Sequence, residues 1–349
     1  MSNLNRYNPF CLSSYLAFRY IVQDNKNWID DYRPNIPLLS NLDQVKVKDS
    51  IEIYDFLKEF LKVNIDTGIL LSGGIDSAIL ASFLPKGAKA YTIVYDSEGA
   101  IDESDQASIY ANILDLDHNI VTVTWEDHIS DMKFLMENKK APLHAIEVGL
   151  YRASVLAKKQ GINKLIVGNG ADSTFGGMDK LLAKDWKYHE FINRYTFVDP
   201  KEVLIDHTSF NDIYLEYKIN DSINVQKFLK TVHGIGIIQT FENAIRSANC
   251  EIIAPFEKME YPYDLDIERI RGGESKYILR SVFKRIFPDL DIPEKIPFAR
   301  PMDKWLKNWS NPKRQEFKKD INIDLFTGDQ KWLIFCLEMF LNTLDELIS

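Results

Sequence analysis

The chain has 349 residues, 45% hydrophobic, 12% aromatic and 27% charged, a balance that fits a folded globular protein and excludes disordered, collagen-like and coiled-coil classes. Its 42 Lys and Arg against 51 Asp and Glu leave a net charge of −9, which works against sequence-independent binding to nucleic-acid phosphates or to an anionic membrane surface. Three widely spaced cysteines, Cys11, Cys250 and Cys336, support neither a disulfide framework nor a Cys-rich zinc site, and they fit a reducing, cytoplasmic setting.

Residues 1–60 read as an irregular, junction-like segment, with a helix expected over Ser13 to Val22 and a loop holding Pro34 and Pro37. The amino terminus lacks the basic-then-apolar pattern of a secretory leader. From residue 61 to about 220, short apolar runs alternate with longer amphipathic stretches, the pattern of parallel strands joined by crossover helices. Strands are expected at Gly68 to Leu71, Ala90 to Tyr95, Asn119 to Thr124 and Lys164 to Val167. Helices are expected at Ile75 to Phe83, Asp102 to Leu114, Asp127 to Glu137 and Ala145 to Gln160, the last stopped by Gly161. The fold class is therefore α/β, with a helical lobe over about 221–349 broken by prolines such as Pro255, Pro288 and Pro301. Trp332 to Leu341, interrupted by Glu338 and half the ~20 residues of a membrane span, reads as a core-facing terminal helix.

The stretch Leu71-Ser72-Gly73-Gly74-Ile75-Asp76-Ser77 runs from a strand through two glycines into a helix. Backbone N–H groups and a helix amino terminus can converge there on an anion, with Ser72 and Ser77 adding hydroxyls, and phosphate is the natural guest. It is not a Walker A loop, because no Gly-Lys-Ser/Thr follows, and it lacks the third glycine of the dinucleotide fingerprint. The six histidines show no metal-ligand spacing. The acidic run Asp102-Glu103-Ser104-Asp105 reads as a helix start complementing the dipole.

Ser72-Gly73-Gly74-Ile75-Asp76-Ser77 resembles the pyrophosphate-binding loop of the PP-loop ATP pyrophosphatase superfamily. Gly168-Asn169-Gly170-Ala171-Asp172-Ser173-Thr174-Phe175-Gly176-Gly177 resembles a glycine-rich block of the asparagine synthetase and β-lactam synthetase domains. Pro255-Phe256 resembles the family's Pro-Phe-Leu-Asp block, and the stretches around Lys276 to Arg280 and Lys295 to Phe298 resemble its later blocks in the same order. The resemblance implies a parallel-sheet PP-loop core, without the family's amino-terminal glutaminase. It implies a ligase that adenylates a carboxylate with ATP and Mg²⁺, releases pyrophosphate, and passes the acyl group to an amine or ammonia. It assigns Leu71, Ser72, Gly73, Gly74, Asp76, Ser77 and Gly170 to the nucleotide and Asp76 and Asp172 to magnesium. Lys295 then stabilises charge at the reacting centre and Lys276 lies near the phosphates, although Ser275 to Phe287 also reads as an amphipathic helix that would carry such charges on its exposed face.

Two departures bear on the substrate. Asn169 stands where the family has Glu or Tyr and cannot accept a proton at neutral pH, so Glu202 becomes the general base by position. Ser173 replaces a family Glu, which implies a substrate other than aspartate with ammonia. The expected partners are a small-molecule or peptide carboxylate and an amine or ammonia, with a separate glutaminase or carrier protein left open; nucleic acid and membrane are not expected. Two rivals stand beside this reading: a tRNA-modifying PP-loop enzyme, disfavoured by the negative charge, and a nucleotide-binding relative that has lost the chemistry.

Overall fold

Five short strands rich in β-branched and aliphatic residues pair into one all-parallel sheet in a computed structural model that describes residues 6–35, 43–294 and 300–348. In chain order they are β1 (Thr67–Leu70), β2 (Lys89–Tyr95), β3 (Asp117–Val123), β4 (Lys164–Ile166) and β5 (Glu251–Ile253). Their spatial order is β3-β2-β1-β4-β5, with Ile69 opposite Ala90, Gly68 opposite Leu165 and Leu165 opposite Ile252. The first four lie where the apolar runs predict them. The fifth lies beyond residue 220, inside the segment read as a helical lobe; three residues, Glu251-Ile252-Ile253, are too short for periodicity to separate from a helical turn.

The chain moves outward from β1 through β2 to β3, then returns across β1 to place β4 on its other side. The crossovers are α3 (Ile75–Ala81), α4 (Ser104–Ile113) and the pair α5 (Trp125–Lys139) and α6 (Glu147–Lys159). Gly161 ends this run at φ +86°, as its place in the sequence implies. At the carboxyl ends of β1 and β4 the connections lead toward opposite edges of the sheet, leaving a crevice in which ligands of such sheets bind.

Side-chain alternation divides the core between the two faces of the sheet. Leu165 and Tyr91 pack with residues of α5, α6 and the terminal helix Gly328–Ile348, whereas Ile166, Ile69 and Leu71 pack with α2 (Ser50–Phe60), α3, α4 and the helix Tyr277–Ile286. The terminal helix buries Trp332, Leu337 and Leu341 as expected, and among the described residues no helix is long and apolar enough to cross a membrane. The first helix, α1 (Pro9–Phe18), starts four residues before the expected Ser13, because Asn8 caps it by accepting the Phe10 N–H at 3.0 Å and Pro9 pre-sets its first turn. Its Tyr15 and Leu16 are fully buried, so the first segment belongs to the core. All three cysteines are buried and free.

Candidate active site

Both connections at the crevice carry the residues singled out in the sequence. Leu71 continues the line of β1, its N–H donating to the Tyr91 carbonyl of β2 at 2.9 Å. The following turn is braced by its two serines: Ser77 Oγ accepts the Ser72 N–H at 3.0 Å and lies 2.9 Å from Ser72 Oγ, which accepts the Gly74 N–H at 3.2 Å. Gly74 caps α3 without a side chain of its own. The Gly73 N–H donates to Glu103 Oε2 at 3.1 Å, so the loop already holds a carboxyl oxygen.

Glu103 corrects a sequence expectation. Asp102 takes the Ser104 N–H at 2.7 Å, while Glu103 crosses to the glycine loop. Burial pushes the Glu103 carboxyl above its ordinary pKa, and the Gly73 N–H pulls the other way. Gly73 permits this approach, since a Cβ there would lie 3.1 Å from Gln106 Cβ.

The second connection turns at Gly170, whose φ of +90° and close packing exclude a side chain: a Cβ would lie 2.8 Å from the Glu257 nitrogen. Gly170 opens the short helix Ala171–Phe175, with Asp172 in its first turn, and Gly176 closes it at φ +80°. A Cβ on Gly177 would overlap Asp172 Oδ1 and Lys276 Cε, so this glycine makes room for an ion pair.

That pair is the centre of the site. Lys276 Nζ donates to Asp76 Oδ2 and lies 2.7 Å from Asp172 Oδ1, joining residues up to 200 positions apart in the chain. Lys276 is 7% exposed and holds a left-handed backbone, φ +55°, just before the helix Tyr277–Ile286. Burial alone would lower its pKa; the two carboxylates outweigh that and hold the ammonium above the ordinary lysine value. The sequence left Lys276 open between the site and an exposed helix face, and the structure buries it between Asp76 and Asp172 rather than on an exposed face. Arg280 serves the same turn, its Nε donating to the Ser275 carbonyl at 2.7 Å.

The remaining predicted residues lie elsewhere. Glu202 sits on the short helix Pro200–Val203, its side chain 60% exposed and 3.9 Å from Lys201 Nζ, with no contact to the Asp76–Lys276–Asp172 cluster among the described residues. Lys295 lies outside the described residues. Asn169 is 7% exposed, and its Nδ2 is buried without a hydrogen-bond partner among the described residues.

Sequence reasoning missed Glu257. Its carboxyl carbon would lie 3.0 Å from a Cβ on Gly170, against the loop that carries Asn169 and Asp172, and burial pushes its pKa up to about 7. The signal was present in the Pro255-Phe256-Glu257 run, where a carboxylate replaces the leucine of the block that this run resembles.

A parallel sheet with a serine-braced glycine loop at its switch point, and two aspartates converging beside that loop, defines an α/β protein of the PP-loop class. The asparagine synthase family model matches residues 54–239, more than half of the chain, and the chain belongs to that family. It is 30% identical over 141 residues to the amidase chry2 of Gibberella zeae, covering 35% of this chain and 21% of that protein. It is 28% identical over 149 residues to the amidase chyE of Penicillium rubens, covering 38% and 22% respectively. The glutamine-hydrolyzing asparagine synthetase 1 of Bacillus subtilis is 26% identical over 136 residues, covering 38% of this chain and 21% of that protein. The matched stretch thus spans about a fifth of each of these relatives.

Proposed function

We propose that the protein is an ATP-dependent ligase that activates a carboxylate as an acyl-adenylate, releases pyrophosphate, and passes the acyl group to an amine or ammonia. The observation that carries this reading is the convergence of Asp76 and Asp172 on one buried cation beside a glycine loop that already binds a carboxylate oxygen. Family membership and the two amidase relatives support amide chemistry.

The two carboxylates fit a magnesium ion by an observation of this structure: they already share one cation, the Lys276 ammonium, in a cradle that a side chain on Gly177 would fill. Among the described residues no group of three or more His, Cys, Asp or Glu could hold a metal, which suits an ion that takes most of its oxygen ligands from a triphosphate and water. Bound there, the ion would screen the phosphate charge that otherwise repels an attacking carboxylate. Asp76 and Asp172 would hold it, and the 72–77 loop would orient the phosphates through its N–H groups. Lys276, kept charged by its two partners, would remain at hand for the developing negative charge. Glu257, rather than the exposed Glu202, would take the proton of the attacking amine.

Carboxylate-dependent exchange of labelled pyrophosphate into ATP tests the reading. Exchange that requires both Mg²⁺ and a carboxylate, and that is lost in Asp76→Asn, is the expected result. No exchange across a broad carboxylate panel would reject it in favour of a nucleotide-binding relative without the chemistry.

A further inference from the structure

The start of α4 lies against the glycine loop. A Cβ on Gly73 would come within 3.1 Å of Gln106 Cβ and 3.4 Å of Glu103 Cβ, and the Gly73 N–H donates to Glu103 Oε2 at 3.1 Å. Glu103 immediately precedes α4, yet its side chain caps none of that helix's N–H groups; Asp102 takes the Ser104 N–H instead. The residues favoured at such a position are short, because a short side chain bonds back onto its own first turn. Glutamate is a methylene longer than aspartate, and here that reach is spent on the neighbouring loop.

The N–H groups on either side of Gly73 are held within the loop itself, Ser72 N–H by Ser77 Oγ and Gly74 N–H by Ser72 Oγ. Gly73 N–H is the one that turns to α4, and Glu103 fills it. A phosphate seated on this loop needs that donor, so it meets an occupant supplied by the chain. The connection that carries the occupant has room to withdraw it: residues 96–102 are mostly exposed, Ile101 is 42% exposed, and Gly99 turns at φ +70° with nothing within 4 Å of a Cβ built on it.

We propose that Glu103 is an internal competitor for phosphate at the glycine loop, yielding the Gly73 N–H to an incoming triphosphate and taking it back as pyrophosphate leaves. This deepens the ligase reading and rests on it. An internal occupant weakens every ligand that needs the same donor in proportion to the fraction of time the donor is free, so a loop free about one-tenth of the time binds roughly tenfold more weakly than an open one. The cost in ATP affinity is matched by a gain in turnover. Pyrophosphate left on the loop by adenylation would run the reaction backward, and release of product is a step that limits many enzymes. Glu103 displaces it without any bond being made or broken.

Calorimetry on the full chain with inorganic pyrophosphate, Mg·ATP and AMP tests the competition without turnover. Glu103→Asp keeps a carboxyl, suits the start of a helix, and falls a methylene short of Gly73. Glu103→Gln keeps the reach and an acceptor oxygen. Pyrophosphate and Mg·ATP should bind about tenfold or more tightly in Glu103→Asp than in wild type and by a smaller margin in Glu103→Gln. AMP, which lacks the β and γ phosphates, should bind all three forms alike and reports that each is folded. Pyrophosphate affinity that is unchanged or weaker in a folded Glu103→Asp, or a larger gain in Glu103→Gln than in Glu103→Asp, would overturn the proposal.

Hydrogen exchange on the wild type gives a second reading that needs no variant. Pyrophosphate should speed exchange over residues 96–106 as Glu103 lets go, and exchange that is unchanged or slowed there would also overturn the proposal. The expected order of pyrophosphate affinities without any carboxylate-dependent exchange into ATP would reject the ligase reading and leave the competitor standing. Carboxylate-dependent exchange with equal pyrophosphate affinity in wild type and Glu103→Asp would do the reverse.

Discussion

Asn169 and Glu257 approach Gly170 with opposite chemistry, one presenting an amide that cannot accept a proton and the other a buried carboxyl that titrates near neutrality. A carboxyl with an ordinary pKa of 4.5 is a weak base for an ammonium, whereas one raised to about 7 is matched to proton transfer at physiological pH. Glu257→Gln should slow amide formation ~10²–10⁴-fold, the usual cost of losing a general base, while carboxylate-dependent pyrophosphate exchange stays near wild type. In the wild type the amide-forming rate should rise with pH as Glu257 loses its proton around 7, and this limb should vanish in the variant. Stability runs the other way. A carboxyl whose folded pKa is raised favours the fold fully below its unfolded value, and this contribution is lost as pH rises through the folded value, so Glu257→Gln should gain in melting temperature relative to wild type at about pH 8 and not at about pH 4. Unchanged amide formation in Glu257→Gln would show that another group, or a neutral amine, does the work. Glu202 was singled out by its position, in analogy with the β-lactam-forming relatives, and such a position does not report burial; Glu257 was legible as a carboxylate in an apolar block, and its setting was not.

The elements at the crevice were largely readable because each announces itself locally. A short apolar strand, two glycines and a helix with an early aspartate can fold in few ways, and β1, the loop and α3 follow that plan. What could not be read was the reach of side chains between elements. Glu103 stands 30 residues from Gly73 and Lys276 stands 200 from Asp76, and nothing local distinguishes either from a residue on an exposed helix face. The glycines record those encounters indirectly. Gly177→Ala should leave secondary structure intact yet force Asp172 and Lys276 apart, costing about 1–3 kcal/mol as an overpacked contact. It should weaken Mg·ATP binding by tenfold or more, which urea unfolding and calorimetry on the same variant would measure together. If both stability and nucleotide affinity match wild type, the cradle is looser than its geometry implies.

At the scale of the molecule, reversal of strand order between β1 and β4 accounts for where everything lies. The glycine loop leaves one strand and the Gly170 loop leaves its neighbour, so two segments nearly 100 residues apart meet at one crevice. The segment from 255 to 276, following β5, brings Glu257 against Gly170 and Lys276 between Asp76 and Asp172. The Pro255 and Lys276 blocks were visible in the sequence, but the strand between β4 and the first of them was not, and with it went the reason these blocks converge. In the proposed reaction a carboxylate oxygen attacks the α-phosphorus of ATP. With an ¹⁸O-labelled carboxylate that supports exchange, AMP carrying one ¹⁸O atom together with unlabelled pyrophosphate is the expected result. Release of ADP with the label in inorganic phosphate, or of AMP without label, would contradict it.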